Sequence, residues 1–361
     1  MCRREFCRGR ICYMLTVNII VKNEEANIKR CLSSVKDIAD NWVMVDTGSF
    51  SEETAEIAMR VMCNIPGKVV FLDDFIDYSH ARNIALENSP KNSWILSIDA
   101  DEEFKGSLPL LDNTSSCYKV KIADGYQSFW NYRLFNKRFS PHWVGPVHEI
   151  VEFEKSGNVS ESQKFYLHHH RSGTAMTPEE KYNFYTSKLL KNFEDTGSER
   201  SLFYLFKTFI ETPYPDINLK NTLKYGNLCL NSAKLGDEEK YICCFYIGDM
   251  YFNKSLHEEA SSWFIKSLNY NTLRKESVTR LMQINCDLQN YEYSYRLATT
   301  VKPGYGSEFF IKLKSINDAF WVYFEISCYY SGHINKAKEI NIFLQEKYPD
   351  NQLYKNNGKF Y

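Results

Sequence analysis

The sequence predicts an α/β domain, a mostly parallel sheet sandwiched by helices, followed by an all-α domain. Three observations predict it. In the first half, short β-rich apolar runs alternate with segments whose apolar residues recur at helical spacing. Strands there end in polar or acidic residues, and open parallel sheets bind ligands outside the carboxyl ends of their strands. From about residue 178 onward helical patterns dominate. A chain of 361 residues also suggests about two domains.

The elements follow in order. Leu15 to Val21 (LTVNIIV) reads as the first strand. After Lys22-Asn23-Glu24-Glu25, residues Ile28, Cys31, Leu32 and Val35 fall at i, i+3, i+4 and i+7, one face of a helix. Trp42 to Val45 (WVMV) is the second strand, closed by Asp46-Thr47-Gly48-Ser49. Thr54, Ile57, Ala58 and Val61 repeat the helical spacing. Lys68 to Leu72 is a third strand, His80 to Glu87 a short helix, and residues 94 to 98 a fourth strand. That strand runs into Asp99, Asp101, Glu102 and Glu103.

Bulk properties narrow the function. The composition is 43% hydrophobic and 25% charged, that of an ordinary globular protein. Forty-four basic residues against 45 acidic ones leave a net charge of −1, so general binding to nucleic acid is not expected. The 11 cysteines are odd in number and scattered, and no secretory signal is recognised ahead of them. Reduced thiols and a cytoplasmic location are expected. The basic start MCRREFCRGRIC lacks the partner Cys or His pair of a zinc site, and residues 1–13 are expected to form a flexible tail. No apolar run reaches the roughly 18 residues of a membrane helix; peripheral membrane contact stays open.

The acidic strand end is the strongest single signal. In extended chain, Asp99 and Asp101 point to one side and present two carboxylates to one spot. Hard oxygen ligands of this kind suit Mg²⁺ or Mn²⁺ bound together with substrate phosphates. The alternative is a solvated acidic turn, as at Asp73-Asp74; the preceding strand favours the metal–diphosphate reading. At least one of Glu102 and Glu103 reads as a solvated charge. No GxGxxG follows the first strand and no GxxxxGK[ST] is present. Dinucleotide oxidoreductases and P-loop enzymes are disfavoured.

The runs TVNIIVKNEEANIKRCLSSV, WVMVDTGSFSEETAEIA, FIDYSHARNIALENS and WILSIDADEEF, in this order, resemble the inverting family-two glycosyltransferases of GT-A fold. The resemblance is to the bacterial-type subgroup with tetratricopeptide-like helices after the catalytic domain. It is firm over about residues 14 to 190 and looser beyond. It implies that Asp99-Ala100-Asp101 is the DxD element. Asp101 would ligate the divalent ion on the donor diphosphate, and Asp99 the ribose or the same metal. It implies that Asp46 binds the nucleotide base and that Val21, Lys22, Asn23 and Glu24 lie along the nucleoside. Arg82 and Asn83 would stand beside the donor. The residues alone leave other readings open. Asp46 could make an Asx turn, Glu24 and Glu25 could be first-turn helix acids, and Arg82 could belong to a surface ion pair.

YQSFWNYRLFNKRFSPHWVGPVHEI resembles the subgroup's next block through Arg133-Leu134-Phe135 and Gly145 to Glu149. Inverting transfer needs a base to take the acceptor's proton. Glu149 is the candidate base and His148 a candidate metal or diphosphate contact; a His-Glu pair bonded within its loop is the alternative. In YLHHHRSG the subgroup's histidine is blurred across His168, His169 and His170, with His168 the preferred metal-side candidate. An exposed run is the alternative.

The expected boundaries are a glycosyltransferase domain over 14–195 and a helical domain over 196–361. Cys244, Ile247, Gly248, Tyr251, Ala260 and Phe264 follow the tetratricopeptide spacing, and Trp321, Phe324, Gly332, Ala337 and Pro349 repeat it, with the repeat between them expected to be degenerate or to carry an insertion at 302–306. The helices would bind the acceptor or a partner, or act as a cap or homodimer contact. The expected activity is inverting transfer of a sugar from a nucleotide-sugar, UDP-linked in this reading, to a glycan, lipid or protein acceptor, dependent on Mn²⁺ or Mg²⁺. The rivals are a nucleotidyltransferase on a similar sheet and a helical-repeat interaction protein with an inactive sheet domain.

Overall fold

The first strand, β1 (Met14–Val21), is covered on both sides. Its Leu15, Val17, Ile19 and Val21 pack in one cluster with the buried stripe Ile28, Cys31, Leu32 and Val35 of α1 (Ile28–Val35). β2 (Asn41–Asp46) follows, and α2 (Glu53–Val61) adds Ala55 and Ala58 to the same cluster. β3 (Gly67–Phe71) leads to α3 (Tyr78–Glu87) on the opposite face, where Ala81 and Ala85 meet Val43 and Val45. Small residues on α3 let it sit close to the sheet. β4 (Ser93–Ser97) is buried along its whole length, as a strand covered on two faces must be.

The computed structural model describes residues 13–125, 128–172, 176–211, 219–301 and 313–361, the side chains of 313–317 excepted. The tail expected over 1–13, Tyr13 apart, and the insertion expected at 302–306 lie outside the described residues. The chain divides into two compact units, residues 1–197 and 198–361.

In the first unit β3, β2, β1 and β4 are parallel neighbours in that order. Six further strands follow that the sequence reading did not resolve: β5 (Glu102–Gly106), β6 (Ser115–Ala123), β7 (Ser128–Asn136), β8 (Pro141–Val144), β9 (Ile150–Phe153) and β10 (Asn158–His169). β7 joins β4 antiparallel, β6 joins β7, β10 lies parallel to β6, and β5 closes the row antiparallel to β10. β8 and β9 form a separate ribbon whose Trp143 and Val151 pack on Leu86, Ile95 and Phe135. The result is a mostly parallel sheet between helices, as expected. The unit ends in α4 (Pro178–Thr196). Thr177 and Glu180 form a capping box at its start, Pro178 takes the first position, and Gly197 stops it in the left-handed region.

The second unit is helical: α5 (Glu199–Ile210), α6 (Leu219–Asn231), α7 (Asp237–Asn253), α8 (His257–Leu268), α9 (Lys275–Asp287), α10 (Tyr291–Thr300), α11 (Leu313–Tyr330), α12 (Ile334–Lys347) and α13 (Gln352–Asn357). Consecutive helices pair as hairpins, α5 with α6, α7 with α8, α9 with α10 and α11 with α12. This is the tetratricopeptide-like arrangement the spacing predicts. Gly248 shows why that spacing needs small residues. A Cβ there would lie 2.8 Å from ring atoms of Phe264. Gly248→Val is therefore expected to destabilise the protein by about 1–3 kcal/mol through overpacking. Thermal denaturation checks this; an unchanged Tm would mean that α7 and α8 have slack. Among the described residues no helix is long and apolar enough to cross a membrane.

Candidate active site

The loops after β1 and β2 are laced together. The Val21 carbonyl accepts from the Thr47 N–H (2.9 Å) and hydroxyl (3.0 Å). Asn23, at φ +54°, donates its N–H to Ser49 Oγ (2.9 Å) and accepts from the Phe50 N–H (2.8 Å). The Glu24 N–H reaches Thr54 Oγ1 (3.1 Å). Asn27 donates to Glu24 Oε2 (2.8 Å) and to the Ser172 carbonyl (3.1 Å), tying this corner to the chain beyond β10. Burial raises the Glu24 pKa; Asn27 offsets part of the rise, and Asp101 and Asp99 add to it. Of Val21, Lys22, Asn23 and Glu24, it is Glu24 that feels the charges of Asp99 and Asp101.

Asp46 ends β2 with 1% exposure. Its Oδ1 accepts from the N–H groups of Gly48 (3.0 Å) and Ser49 (2.7 Å), which is the Asx turn the sequence left open. Its Oδ2 is buried and has no partner among the described residues. One oxygen shapes the loop and the other makes no hydrogen bond among the described residues. A buried acceptor without a donor is costly unless a ligand supplies one.

The chain is not extended between Asp99 and Asp101, although both carboxylates act on Glu24 and Cys31. The chain turns at this point, with the Glu102 N–H bonded to the Asp99 carbonyl (2.9 Å). Asp99 Oδ1 accepts from Arg82 Nη2 (2.7 Å) and Oδ2 from Arg133 Nη2 (2.6 Å). Burial opposes its charge, but Arg133 and Arg82 outweigh burial and hold its carboxyl well below the usual carboxylate range. Both oxygens are thereby taken by guanidinium groups, which weakens the case for Asp99 as a metal ligand. Asp101 has its Oδ1 3.6 Å from His169 Nδ1.

Glu102 is not solvated. It is 1% exposed, its Oε2 accepts from the Asp99 N–H (2.8 Å) and its Oε1 from Arg133 Nη2 (3.1 Å). Burial pushes its pKa up to about 7 against the pull of Arg133, which lies closer to Asp99. Glu103 is the more open acid, paired with Lys105 (2.6 Å) and His170 (3.1 Å).

Arg82 joins the two halves of the site. Its Nη2 holds Asp99, its Nη1 donates to Ser97 Oγ (3.1 Å), and its Nε donates to Glu149 Oε1 (2.6 Å). The guanidinium also lies 5.0 Å from the centroid of the Trp143 ring. It is 7% exposed, so a surface ion pair does not describe it. Asn83 is used differently from its expected donor contact. Its Nδ2 donates to the Trp143 carbonyl (2.9 Å) and its Oδ1 accepts from the Trp143 N–H (2.8 Å). Both ends of the amide clamp β8 to α3.

Glu149 and His148 sit in the hairpin loop between β8 and β9, where Gly145 (φ +92°) and His148 (φ +54°) both take left-handed backbone. The loop is also fixed by the Tyr78 N–H on the Pro146 carbonyl (3.1 Å). The His148 ring stands edge-on to Tyr185 of α4, centroids 5.4 Å apart. The three histidines separate by strand alternation. β10 pairs with β5 so that His169 lies opposite Glu102 and His168 opposite Glu103. That register brings His169 to Asp101 and turns His168 to the other face, where it meets the His170 ring at 4.5 Å. The histidine beside Asp101 is thus His169, not the expected His168. His169 Nδ1 is buried and has no hydrogen-bond partner among the described residues. No group of three His, Cys, Asp or Glu side chains among the described residues forms a metal site by itself.

Sequence reasoning gave no role to Arg133, Ser97 or Tyr185. Arg133 carried a signal, the lone charged residue of a strand rich in aromatics; it is 7% exposed, with Nε and Nη1 buried and unpartnered among the described residues.

Residues 16–138 match the model of a family described as "Glycosyl transferase family 2". An uncharacterized glycosyltransferase of Rickettsia typhi is 31% identical over 216 residues, covering 52% of this chain and 70% of that protein. The SPbeta prophage-derived glycosyltransferase SunS of Bacillus subtilis is 35% identical over 148 residues, covering 37% of this chain and 34% of its own. A TPR repeat-containing protein of Synechococcus elongatus is 40% identical over 85 residues, covering 24% of this chain and 20% of that protein.

Proposed function

The chain belongs to glycosyl transferase family 2, and on that premise we propose that it is an inverting transferase using a UDP-sugar and a divalent cation. A glycosyltransferase of this family has a nucleotide-sugar donor and an acceptor. The observation that carries the finer reading is the buried, unpartnered Oδ2 of Asp46 at the carboxyl end of β2. A carboxylate oxygen there accepts a hydrogen bond and offers none. Uracil has a ring N–H to give it, whereas cytosine and adenine present a bare ring nitrogen at the matching edge.

The residues fit a divalent cation as well. Asp101 Oδ1 and His169 Nδ1 are 3.6 Å apart, too far for a hydrogen bond and close enough to share an ion. These two would hold it, with oxygens of the donor diphosphate completing its shell, as Mg²⁺ and Mn²⁺ favour. When bound, it would neutralise charge on the departing diphosphate. Arg82 and Arg133 keep Asp99 ionised and the 99–102 turn fixed. Arg82 also aims Glu149, the proposed base. Glu149 takes the acceptor's proton as the acceptor atom bonds to the anomeric carbon, opposite the bond to UDP that breaks, so the configuration inverts. The buried free thiols Cys31, Cys117, Cys229, Cys243, Cys244, Cys286 and Cys328 fit a reducing compartment such as the cytoplasm.

Titration calorimetry tests both parts. Mn²⁺ should tighten UDP binding by about tenfold, roughly one charge-assisted contact's worth, and Asp101→Ala should lose that gain. Equal Mn²⁺ dependence in wild type and Asp101→Ala would sink the metal assignment. Tighter binding of CDP or ADP than of UDP would sink the role given to Asp46.

A further inference from the structure

Beside Glu149 stands a wall of aromatic rings that the donor reading does not use. Phe75 comes from the loop before α3, Tyr78 from the first residue of α3, and Phe184 and Tyr185 from α4. Phe75 stacks on Phe184 (centroids 5.6 Å, interplanar 20°), and Tyr78 meets Phe184 edge-on at 6.0 Å and Tyr185 at 6.4 Å. The Tyr78 and Tyr185 rings are edge-on to each other and both hydroxyls feel the Glu149 charge. Burial raises both phenol pKa values, so the hydroxyls stay protonated and able to donate. All four rings are part-buried, with surface left to meet a ligand. The wall is held in place at two points, the capping box of α4 and the bond from the Tyr78 N–H to Pro146.

We propose that this wall is the acceptor subsite, that it takes a sugar unit of a saccharide acceptor, and that the Tyr78–Tyr185 pair orients the acceptor hydroxyl toward Glu149. The proposal rests on the glycosyl-transfer reading above and adds its acceptor class. A sugar ring offers an apolar C–H face and a rim of hydroxyls. The wall offers ring faces with two phenolic hydroxyls and a carboxylate at one end, the mixture a small polar ligand needs. A peptide acceptor is disfavoured by the same elements. An extended peptide gains affinity by adding to a strand edge. Three of the four rings come from two helices, whose main-chain groups are already used internally, and none from a strand edge. Tyr78 and Tyr185 are positioning residues; the proton goes to Glu149.

The test uses the full chain with Mn²⁺, UDP-glucose and UDP-N-acetylglucosamine as donors. The acceptor probes are glucose, N-acetylglucosamine and cellobiose, set against a soluble peptide containing Ser, Thr and Cys. Products are read by mass spectrometry. Transfer to a saccharide is expected. Tyr185→Phe should raise the saccharide KM by about tenfold, the size of one lost hydrogen bond, with the donor KM within about twofold. Phe184→Ala should raise the saccharide KM similarly, and Phe184→Tyr should restore it; this pair separates ring contact from misfolding. Glycosylated peptide without glycosylated saccharide would overturn the proposal, as would an unchanged saccharide KM in both Tyr185→Phe and Phe184→Ala. Donor hydrolysis without transfer to any saccharide overturns the acceptor assignment alone. Failure to bind or cleave any nucleotide-sugar overturns the transferase reading beneath it.

Discussion

Glu149→Gln is expected to slow sugar transfer by about 10²–10⁴-fold, the usual contribution of a general base, while UDP affinity stays within about twofold. The substitution keeps the shape of the site. A glutamine carbonyl can still accept from Arg82 Nε, which Glu149 Oε1 now does at 2.6 Å. Arg82 therefore keeps its partner and continues to hold Asp99. Only the ability to take a proton is removed. Glu149→Ala would be a poorer test, because it leaves a buried guanidinium short of one acceptor and perturbs Asp99 through it. Single-turnover transfer at saturating donor and acceptor reads the chemical step. An unimpaired rate in Glu149→Gln would move the base to another carboxylate, and Glu103, half-exposed beside Lys105, would be the next to change.

The parallel half of the sheet was legible because its signals are local. Ile28, Cys31, Leu32 and Val35 announce the buried face of α1 by spacing alone, and all four are fully buried. LTVNIIV and WVMV are short apolar runs that only a strand covered on two faces accommodates. The site was legible only where one segment supplies it. Asp46 and its Asx turn lie within four consecutive residues, whereas the environment of Asp99 is assembled from far along the chain. Arg133 arrives from 34 residues away and Arg82 from 17. Nothing near Asp99 says that its charge will be matched by two guanidinium groups rather than by a metal. Which of Glu102 and Glu103 is the open one was hidden for the same reason: two adjacent acids after a turn look alike until β7 places Arg133 on Glu102. The choice between His168 and His169 depends on the register of β10 against β5, and one residue's slip inverts which face each occupies.

Arg133→Met is expected to destabilise the fold by about 3–5 kcal/mol at pH 8, the usual cost of stripping one partner from a buried ion pair. Methionine keeps much of the volume, so the loss is of charge and hydrogen bonds. Arg133 is buried with Asp99 at 2.6 Å and Glu102 at 3.1 Å, and Arg82 alone cannot reach both. The pH dependence separates this cause from a packing defect. Arg133 and Arg82 hold the folded pKa of Asp99 far below its ordinary value of about 3.8. Its contribution to stability is therefore present above about pH 4 and is lost as pH falls. Glu102 runs the opposite way: its folded pKa, raised from 4.5 to about 7, makes it lower stability progressively as pH rises through that window. Without Arg133 both carboxyls lose their attraction for a positive partner, and both become easier to protonate in the folded state. The deficit of Arg133→Met should therefore be largest at pH 8 and shrink toward pH 5, where the folded variant takes up protons that the wild type refuses. Urea denaturation of both proteins at pH 5 and pH 8 measures the difference. A deficit of equal size at the two pH values would mean that Arg133 supports the sheet by packing, and that Asp99 is held ionised by Arg82 alone.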